Sequence, residues 1–159
     1  MNTEINAIIK SKEDVLSGGP WYGKAVLVML NEVNEENVFK KPNQTSHSLM
    51  ELLYHMVTWA EFAQHRLEKN KEVNMNAFEA LDWRETSPEI HTWNNGIAQL
   101  TAATNKTIEI LKSCSDDMLE EKVDYRDYDF RYLLNGVIQH NIYHIGQIAY
   151  LNKMLVADK

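Results

Sequence analysis

The chain has 159 residues, of which 44% are apolar and 25% are charged, and it carries a formal net charge of −7 with one cysteine. This length and composition predict a globular protein that folds as one domain over residues 1–159. The acidic balance argues against a nucleic-acid partner, and a lone cysteine excludes an internal disulfide or a multi-thiolate zinc site. With no visible signal peptide and no apolar run of membrane-spanning length, we expect a cytoplasmic protein without a membrane partner.

Helical patterns begin at the amino terminus. Residues 3–16 show apolar side chains at helical spacing, and the sequence "GGP" at 18–20 interrupts them. Pro20 suits an early position of a second helical stretch, which would run from Trp21 to about Glu32. The pattern leaves open whether these are one kinked helix or two.

The next helix has a clearer start. Ser48 and Glu51 in "SLME" match a capping box, in which each residue bonds the other's backbone N–H. A helix is predicted from there to about Asn70, and residues 71–86 are predicted to form a long irregular connection with a short helical turn. The core-facing stripe of this helix consists of Leu52, His55, Trp59, Phe62 and Arg66.

Two more long helices complete the pattern. "SPE" predicts a helix start at Ser87 that continues to about Lys112. A short capped turn at 115–121 and an exposed connection at 123–130 follow, and the last helix is predicted from about Phe130 to Leu155. Four long helices joined by irregular or short-helical connections predict an all-α, up-down four-helix bundle.

The last helix carries two histidines on its core-facing side. His140 and His144 are four residues apart, so their side chains meet one turn apart, close enough to share a metal ion. His55 on the earlier helix could supply a third imidazole and leave coordination positions open. The alternative is that these are hydrogen-bonded core histidines, and the pattern alone leaves both interpretations open.

Two familiar metal chemistries do not fit this helix. Asn141 follows His140 where a zincin would have its general-base glutamate, and the stripe lacks the glutamates of a di-iron site.

Three further histidines receive other assignments. We expect His47 to face solvent at a helix start, His65 to be exposed, and His91 to lie on the surface or in a hydrogen bond.

Several residues could surround the histidines. Glu51 could orient His55, although its capping role explains it equally well and is preferred. Gln147 could bond a ligand or a metal-bound water, with a surface amide as the equal alternative. Other aromatic residues could line a pocket, although Trp59 is more simply a core residue: Trp21, Tyr22, Trp59 and Trp83.

Two segments resemble the DinB-like superfamily, including its YfiT-type members. They are "HSLMELLYHMVTWAEF" at 47–62 and "NGVIQHNIYHIGQIAYLNKML" at 135–155, of which the histidine pair followed by "GQI" is the most specific element. "GGPWYGKAVLVMLNEV" and "SPEIHTWNNGIAQL" are similar to the same family, so the resemblance spans nearly the whole chain.

The resemblance implies a four-helix bundle with an unusual connection, often dimeric, and hence a homodimer here. It also implies a divalent metal, zinc or nickel, held by His55, His140 and His144. Family members include S-transferases that use low-molecular-weight thiols such as bacillithiol or mycothiol, an isomerase and metal-dependent hydrolases. The leading hypothesis is therefore a metal-dependent thiol S-transferase that acts on a small electrophilic substrate.

Three alternatives stay open at the level of sequence. The same three ligands would serve a metal-dependent hydrolase of the YfiT type, in which water takes the place of the thiol. Because no general base is recognisable, the domain could also be a non-catalytic module that binds a metal or a ligand. A degenerate site in a domain that acts only through dimerisation is the third.

Overall fold

The computed structural model describes residues 2–70 and 73–157, and every regular element within them is helical. Within the same residues, no helix is long and apolar enough to cross a bilayer. The all-α prediction is confirmed. The six α-helices are α1 (Thr3–Leu16), α2 (Val26–Asn31), α3 (Leu49–Leu67), α4 (Met75–Leu81), α5 (Trp93–Leu111) and α6 (Phe130–Ala157).

The four long helices, α1, α3, α5 and α6, form a bundle. α3 packs against α5 and α6, and α1 packs against the same two helices, so α1 and α3 occupy opposite corners. The segment that joins these corners contains α2, which packs on α6. The indole N–H of Trp93 in α5 donates to the carbonyl of Leu30 in α2 over 3.0 Å, and thereby ties the connection to the bundle. The predicted helical bundle is confirmed, with a diagonal link between its first two long helices.

A capping box fixes the start of α3, as the sequence predicts. The backbone N–H of Glu51 donates to Ser48 Oγ over 3.1 Å, and that of Ser48 donates to Glu51 Oε2 over 2.9 Å. The second carboxylate oxygen of Glu51 lies 2.7 Å from Lys41 Nζ. These bonds satisfy N–H groups that a helix end leaves without partners, and they set the first turn of α3 two turns before His55.

The core consists of two apolar clusters stacked along the bundle. On α6, one cluster ends at Val137 and the other begins at Ile145. Besides His144, four buried polar residues of the described chain lie between the clusters along their helices, and we call these four the polar layer: Lys12 in α1, Thr104 and Thr107 in α5, and Asn141 in α6. Burial lowers the pKa of Lys12 to about 8, because its ammonium form loses hydration there.

The start of the third long helix was predicted wrongly. α5 begins at Trp93 with Thr92 as its cap, whereas Ser87 opens a separate turn. In that turn the N–H of His91 donates to the Ser87 carbonyl over 2.8 Å, and the N–H of Ser87 donates to His91 Nδ1 over 3.1 Å. The His91 imidazole accepts the backbone N–H of Ser87, the residue predicted to begin the helix. The sequence "SPE" therefore marks a turn and not the start of α5.

The stretch predicted from Trp21 to Glu32 is also shorter than expected. α1 and α2 are two separate helices, and α2 begins only at Val26. Pro20 opens a turn instead, since its carbonyl accepts the N–H of Gly23 over 3.2 Å, and Gly23 has a φ of +131° that favours glycine.

Other predicted connections are more ordered than expected. In the predicted 71–86 connection, residues 71–72 lie outside the described residues, and the helical turn is the seven-residue α4, capped by Asn74. The connection predicted as exposed at 123–130 has both its end residues buried. His65, predicted to be exposed, is half-buried and lies 3.3 Å from Glu68.

Gly96 marks the closest approach of α5 to α3. A Cβ at this position would lie 2.6 Å from Leu53 Cδ2 and 3.1 Å from the Tyr54 ring, both of which are buried. We expect Gly96→Ala to lower the free energy of unfolding by about 1–3 kcal/mol, although alanine is the better helix former. Urea denaturation followed by circular dichroism measures this change.

Gly146 of α6 provides the matched control, because a Cβ at this position would meet no atom within 4 Å. Gly146→Ala should raise the free energy of unfolding by about 0.5–1 kcal/mol. If both substitutions stabilise the protein, the close crossing of α3 and α5 is wrong.

Candidate metal centre

Three imidazoles from two helices meet in the seam between α3 and α6. His55 Nε2 and His140 Nε2 are 2.9 Å apart. The ring centroid of His144 lies 4.5 Å from that of His55 and 4.3 Å from that of His140. One nitrogen of each ring lies within 4.8 Å of the others. The structure thus brings together the histidines that the sequence singled out, because residues four apart on α6 share the face that meets α3.

A carboxylate orients the first of these rings. Asp82 Oδ1 lies 2.7 Å from His55 Nδ1, and the same oxygen accepts the indole N–H of Trp59 over 2.7 Å. Because the carboxylate only accepts, the proton of a neutral His55 is held on Nδ1, and Nε2 keeps its lone pair toward the other rings.

An amide orients the second ring in the same way. His144 Nδ1 lies 2.6 Å from Gln147 Oε1, and the Gln147 amide nitrogen donates to the Tyr143 hydroxyl over 3.3 Å. The contact with Tyr143 is consistent with the amide oxygen facing the imidazole, so Nδ1 carries the proton and Nε2 is again free to coordinate.

The third ring has no such support. His140 Nδ1 is buried without a close hydrogen-bond partner among the described residues, although the Asn141 side chain acts to raise the pKa of the ring, and its Nε2 lies 2.9 Å from His55 Nε2. A bound cation would give that inward Nε2 a partner other than a second imidazole. The donor set therefore fits a divalent metal of the zinc or nickel type, for which neutral imidazole is a suitable ligand.

Burial keeps all three imidazoles uncharged. It lowers the pKa of His140 to about 3, and the neighbouring His144 and His55 rings add to that effect. Burial also lowers the pKa of His55, against the opposing attraction of Asp82, and that of His144, against its bond to Gln147. The three lone pairs are therefore available near neutral pH, as metal ligation requires.

A tryptophan covers one side of the cluster. The Trp83 ring stacks on His55 with 3.8 Å between centroids and 10° between planes, and its other face stacks on His47 at 3.8 Å. The next residue, Arg84, donates to Thr58 Oγ1 over 2.6 Å. The segment 82–84 thus fastens the α3–α5 connection onto α3. His47 is exposed, as predicted, and it also belongs to this stack.

Two clefts flank the cluster. The first, which we call the Trp59–Tyr132 cleft, has a volume of about 150 Å³ and reaches His140. The second, the His47–Gln147 cleft, has a volume of about 340 Å³ and is bordered by the amide that orients His144. The two clefts share no lining residue, so two molecules could occupy them at the same time.

The other residues considered from the sequence have different positions. Glu51 belongs to the capping box and makes no recorded contact with His55, so the preferred capping role is the observed one. Trp59 is only partly buried and supports Asp82. Trp21 and Tyr22 line a separate surface cavity that includes Ile138 and Ile142 of α6.

Sequence reasoning missed Asp82. The residue lies in the predicted irregular connection, where no periodicity marks a side chain that faces the core. The available signal was the sequence "ALDWRE", in which an acid lies between apolar and aromatic residues of a long connection. This pattern indicates a carboxylate that faces other side chains of the protein.

Comparisons with known proteins identify the family and agree with the fold. A family model described as the DinB superfamily matches residues 23–148, a range that includes all three histidines. The crystal structure of a DinB-like protein, YjoA from Bacillus subtilis, is similar in fold, with a TM-score of 0.61 and 21% sequence identity over 96% of this chain and 92% of that one. No curated protein matches the chain significantly.

The buried histidines predict a specific dependence of stability on pH in metal-free protein. The folded protein binds a proton at His140 only near pH 3, whereas the unfolded chain binds it near pH 6.5. Acidification from pH 6.5 therefore favours unfolding, by up to about 1.4 kcal/mol per pH unit for one such group. His140→Gln should lose stability less steeply than the parent between about pH 6.5 and 5 in urea denaturation.

His65→Gln is the control, because it removes a histidine of the same helix as His55 from outside the cluster. It should keep the parent's pH slope. Equal slopes for the parent and His140→Gln would contradict the burial of an uncharged His140.

Proposed function

The chain belongs to the DinB superfamily, and on that premise we propose that it is a metal-dependent S-transferase, which joins a low-molecular-weight thiol to a small electrophilic molecule. The observation that carries the proposal is the convergence of His55, His140 and His144, with two of the three rings held in the tautomer that coordination needs. Three uncharged ligands leave the positive charge of a divalent ion uncompensated, and they leave coordination positions for other molecules.

The proposed reaction is a substitution at carbon. The sulfur forms a bond to the electrophilic carbon, the bond from that carbon to its leaving group breaks, and the thiol proton passes to solvent. A divalent metal, when bound, supplies a positive charge that lowers the pKa of a thiol beside it. The chain keeps the ligands in place: Asp82 and Gln147 fix the ring orientations of His55 and His144, and Trp83 covers one face of the cluster.

The pair of clefts supports transfer between two organic molecules. A hydrolase needs one organic substrate and water, whereas an S-transferase must place two organic molecules beside one metal. The Trp59–Tyr132 cleft meets the site at His140, and the His47–Gln147 cleft meets it at Gln147. This arrangement favours the transferase over the hydrolase and the non-catalytic module.

Metal content is the first test. We expect the parent, reconstituted with zinc or nickel, to retain about one equivalent of metal by elemental mass spectrometry, and His55→Ala and His140→Ala to lose it. His65→Ala serves as the matched control and should retain the metal. If the parent holds no more metal than His55→Ala, the proposed centre is wrong.

Asp82→Asn tests the orienting carboxylate. It preserves three imidazoles but removes the charged acceptor from His55 Nδ1, and we expect metal affinity to fall by about 10- to 100-fold in a chelator competition. Glu85→Gln, an exposed acid of the same connection, should leave the affinity unchanged. If Asp82→Asn and Glu85→Gln bind the metal equally well, Asp82 does not orient a metal ligand.

The reaction class is tested with chlorodinitrobenzene and bacillithiol. We expect the metal-loaded protein to yield the thioether and chloride, identified by mass spectrometry, at a rate that His140→Ala reduces to that of the uncatalysed mixture. Formation of the hydroxyl product without thiol would indicate a hydrolase. If neither product forms faster than in the mixture without protein, even when mycothiol replaces bacillithiol, the non-catalytic module is the correct interpretation.

A further inference from the structure

The Trp59–Tyr132 cleft has an unusual lining for a space that adjoins a polar cluster. Its walls are Trp59 of α3, Tyr128 before α6, and Tyr132, Leu133, Gly136 and Val137 of α6. Among the residues that the structure describes, none of the lining side chains is Asp, Glu, Lys or Arg. Partial burial of Tyr128 raises the pKa of its phenol, and the nearby Arg126 opposes that effect. Such walls favour an uncharged, apolar occupant.

The volume of the cleft limits the size of its occupant. It measures about 150 Å³. A buried apolar cavity of about this volume holds one benzene molecule, whereas the Trp59–Tyr132 cleft is open to solvent at Tyr132, which is largely exposed. The rings of Tyr128 and Tyr132 lie 5.1 Å apart at 43°, so the cleft presents aromatic surfaces to an aromatic guest.

A glycine inside a helix keeps part of this space open. Gly136 lies in α6, one turn before His140, where glycine costs about 1 kcal/mol relative to alanine. A Cβ at Gly136 would meet no atom within 4 Å, so no close helix contact requires glycine there. Gly136 borders both the cleft and a neighbouring cavity that contains Asp129 and Arg131, so a larger side chain at this position would reduce the open space at the cleft wall.

The cleft ends at the proposed metal ligand His140. An apolar group held against Trp59 and Tyr132 would therefore place an attached reactive carbon beside the histidine cluster. Binding of the non-reacting apolar group would thus hold the reactive carbon in a favourable orientation for the reaction.

From these observations we infer that the Trp59–Tyr132 cleft is the subsite for the electrophile, and that the electrophile carries an uncharged apolar group the size of a single aromatic ring. This inference rests on the proposed S-transferase function. It assigns the thiol to the His47–Gln147 cleft.

Binding of fluorobenzene to metal-free protein tests the subsite without any turnover. The probe is followed by ¹⁹F NMR in the parent, in Gly136→Leu and in Gly146→Leu, the last being the control because Gly146 lies on the same helix and also has open space at its Cβ. We expect the parent and Gly146→Leu to bind equally, and Gly136→Leu to bind at least about tenfold more weakly. Fluorobenzoate, which carries a charge, should bind at least about tenfold more weakly than fluorobenzene to the parent.

Circular dichroism verifies that each variant is folded. Tyr132→Lys is a second test variant, because it places a charge at the wall of the cleft and Tyr132 is exposed enough to be replaced. Tyr132→Lys should also weaken fluorobenzene binding. Undetectable binding to the parent, equal binding to the parent and Gly136→Leu, or equal binding of fluorobenzoate would each overturn the inference.

The chlorodinitrobenzene reaction separates this inference from the function on which it rests. If the parent binds fluorobenzene as expected but forms no thioether, the proposed transferase fails and the apolar site stands. If thioether forms with the same KM in the parent and in Gly136→Leu, the transferase stands and the subsite is wrong.

Discussion

The contact between Asp82 and His55 is the interaction on which the site depends. It fixes the tautomer of a ligand on α3 from a residue that belongs to the connection between α3 and α5. Trp59 donates to the same carboxylate oxygen, and Trp83 stacks on the ring that the carboxylate orients. One short segment therefore determines the orientation of His55 and the cover on one side of the centre, whereas Gln147 of α6 orients His144.

Desolvation has two opposite consequences for this protein. Burial of three imidazoles lowers their pKa values, and so makes the lone pairs available for a metal at neutral pH. The same burial leaves His140 Nδ1 without a hydrogen-bond partner among the described residues and brings His140 Nε2 against a second imidazole, both of which cost stability. A centre of this type is stabilised by what it binds, because a ligand that binds only the folded state shifts the folding equilibrium toward that state.

The sequence was sufficient for features that follow from periodicity and local capping. The spacing of His140 and His144 placed both on one face, and the capping box at Ser48 located the start of α3. Features that depend on contacts between distant segments were not accessible. Nothing local to Asp82 shows that its carboxylate would meet α3. The buried face of a helix follows from the period of its apolar residues, whereas the path of a long connection depends on the surface against which it packs.

The polar layer between the two apolar clusters limits how the helices can slide past one another. Lys12, Thr107 and Asn141 each lie between the two clusters along their own helices, with apolar side chains of the clusters before and after them. A shift of one helix by a turn would move an amine or an amide against Ile or Leu side chains, at a cost that an all-apolar seam would not impose. The layer therefore selects one axial alignment, and that alignment is the one that sets α6 opposite α3 with its two histidines level with His55.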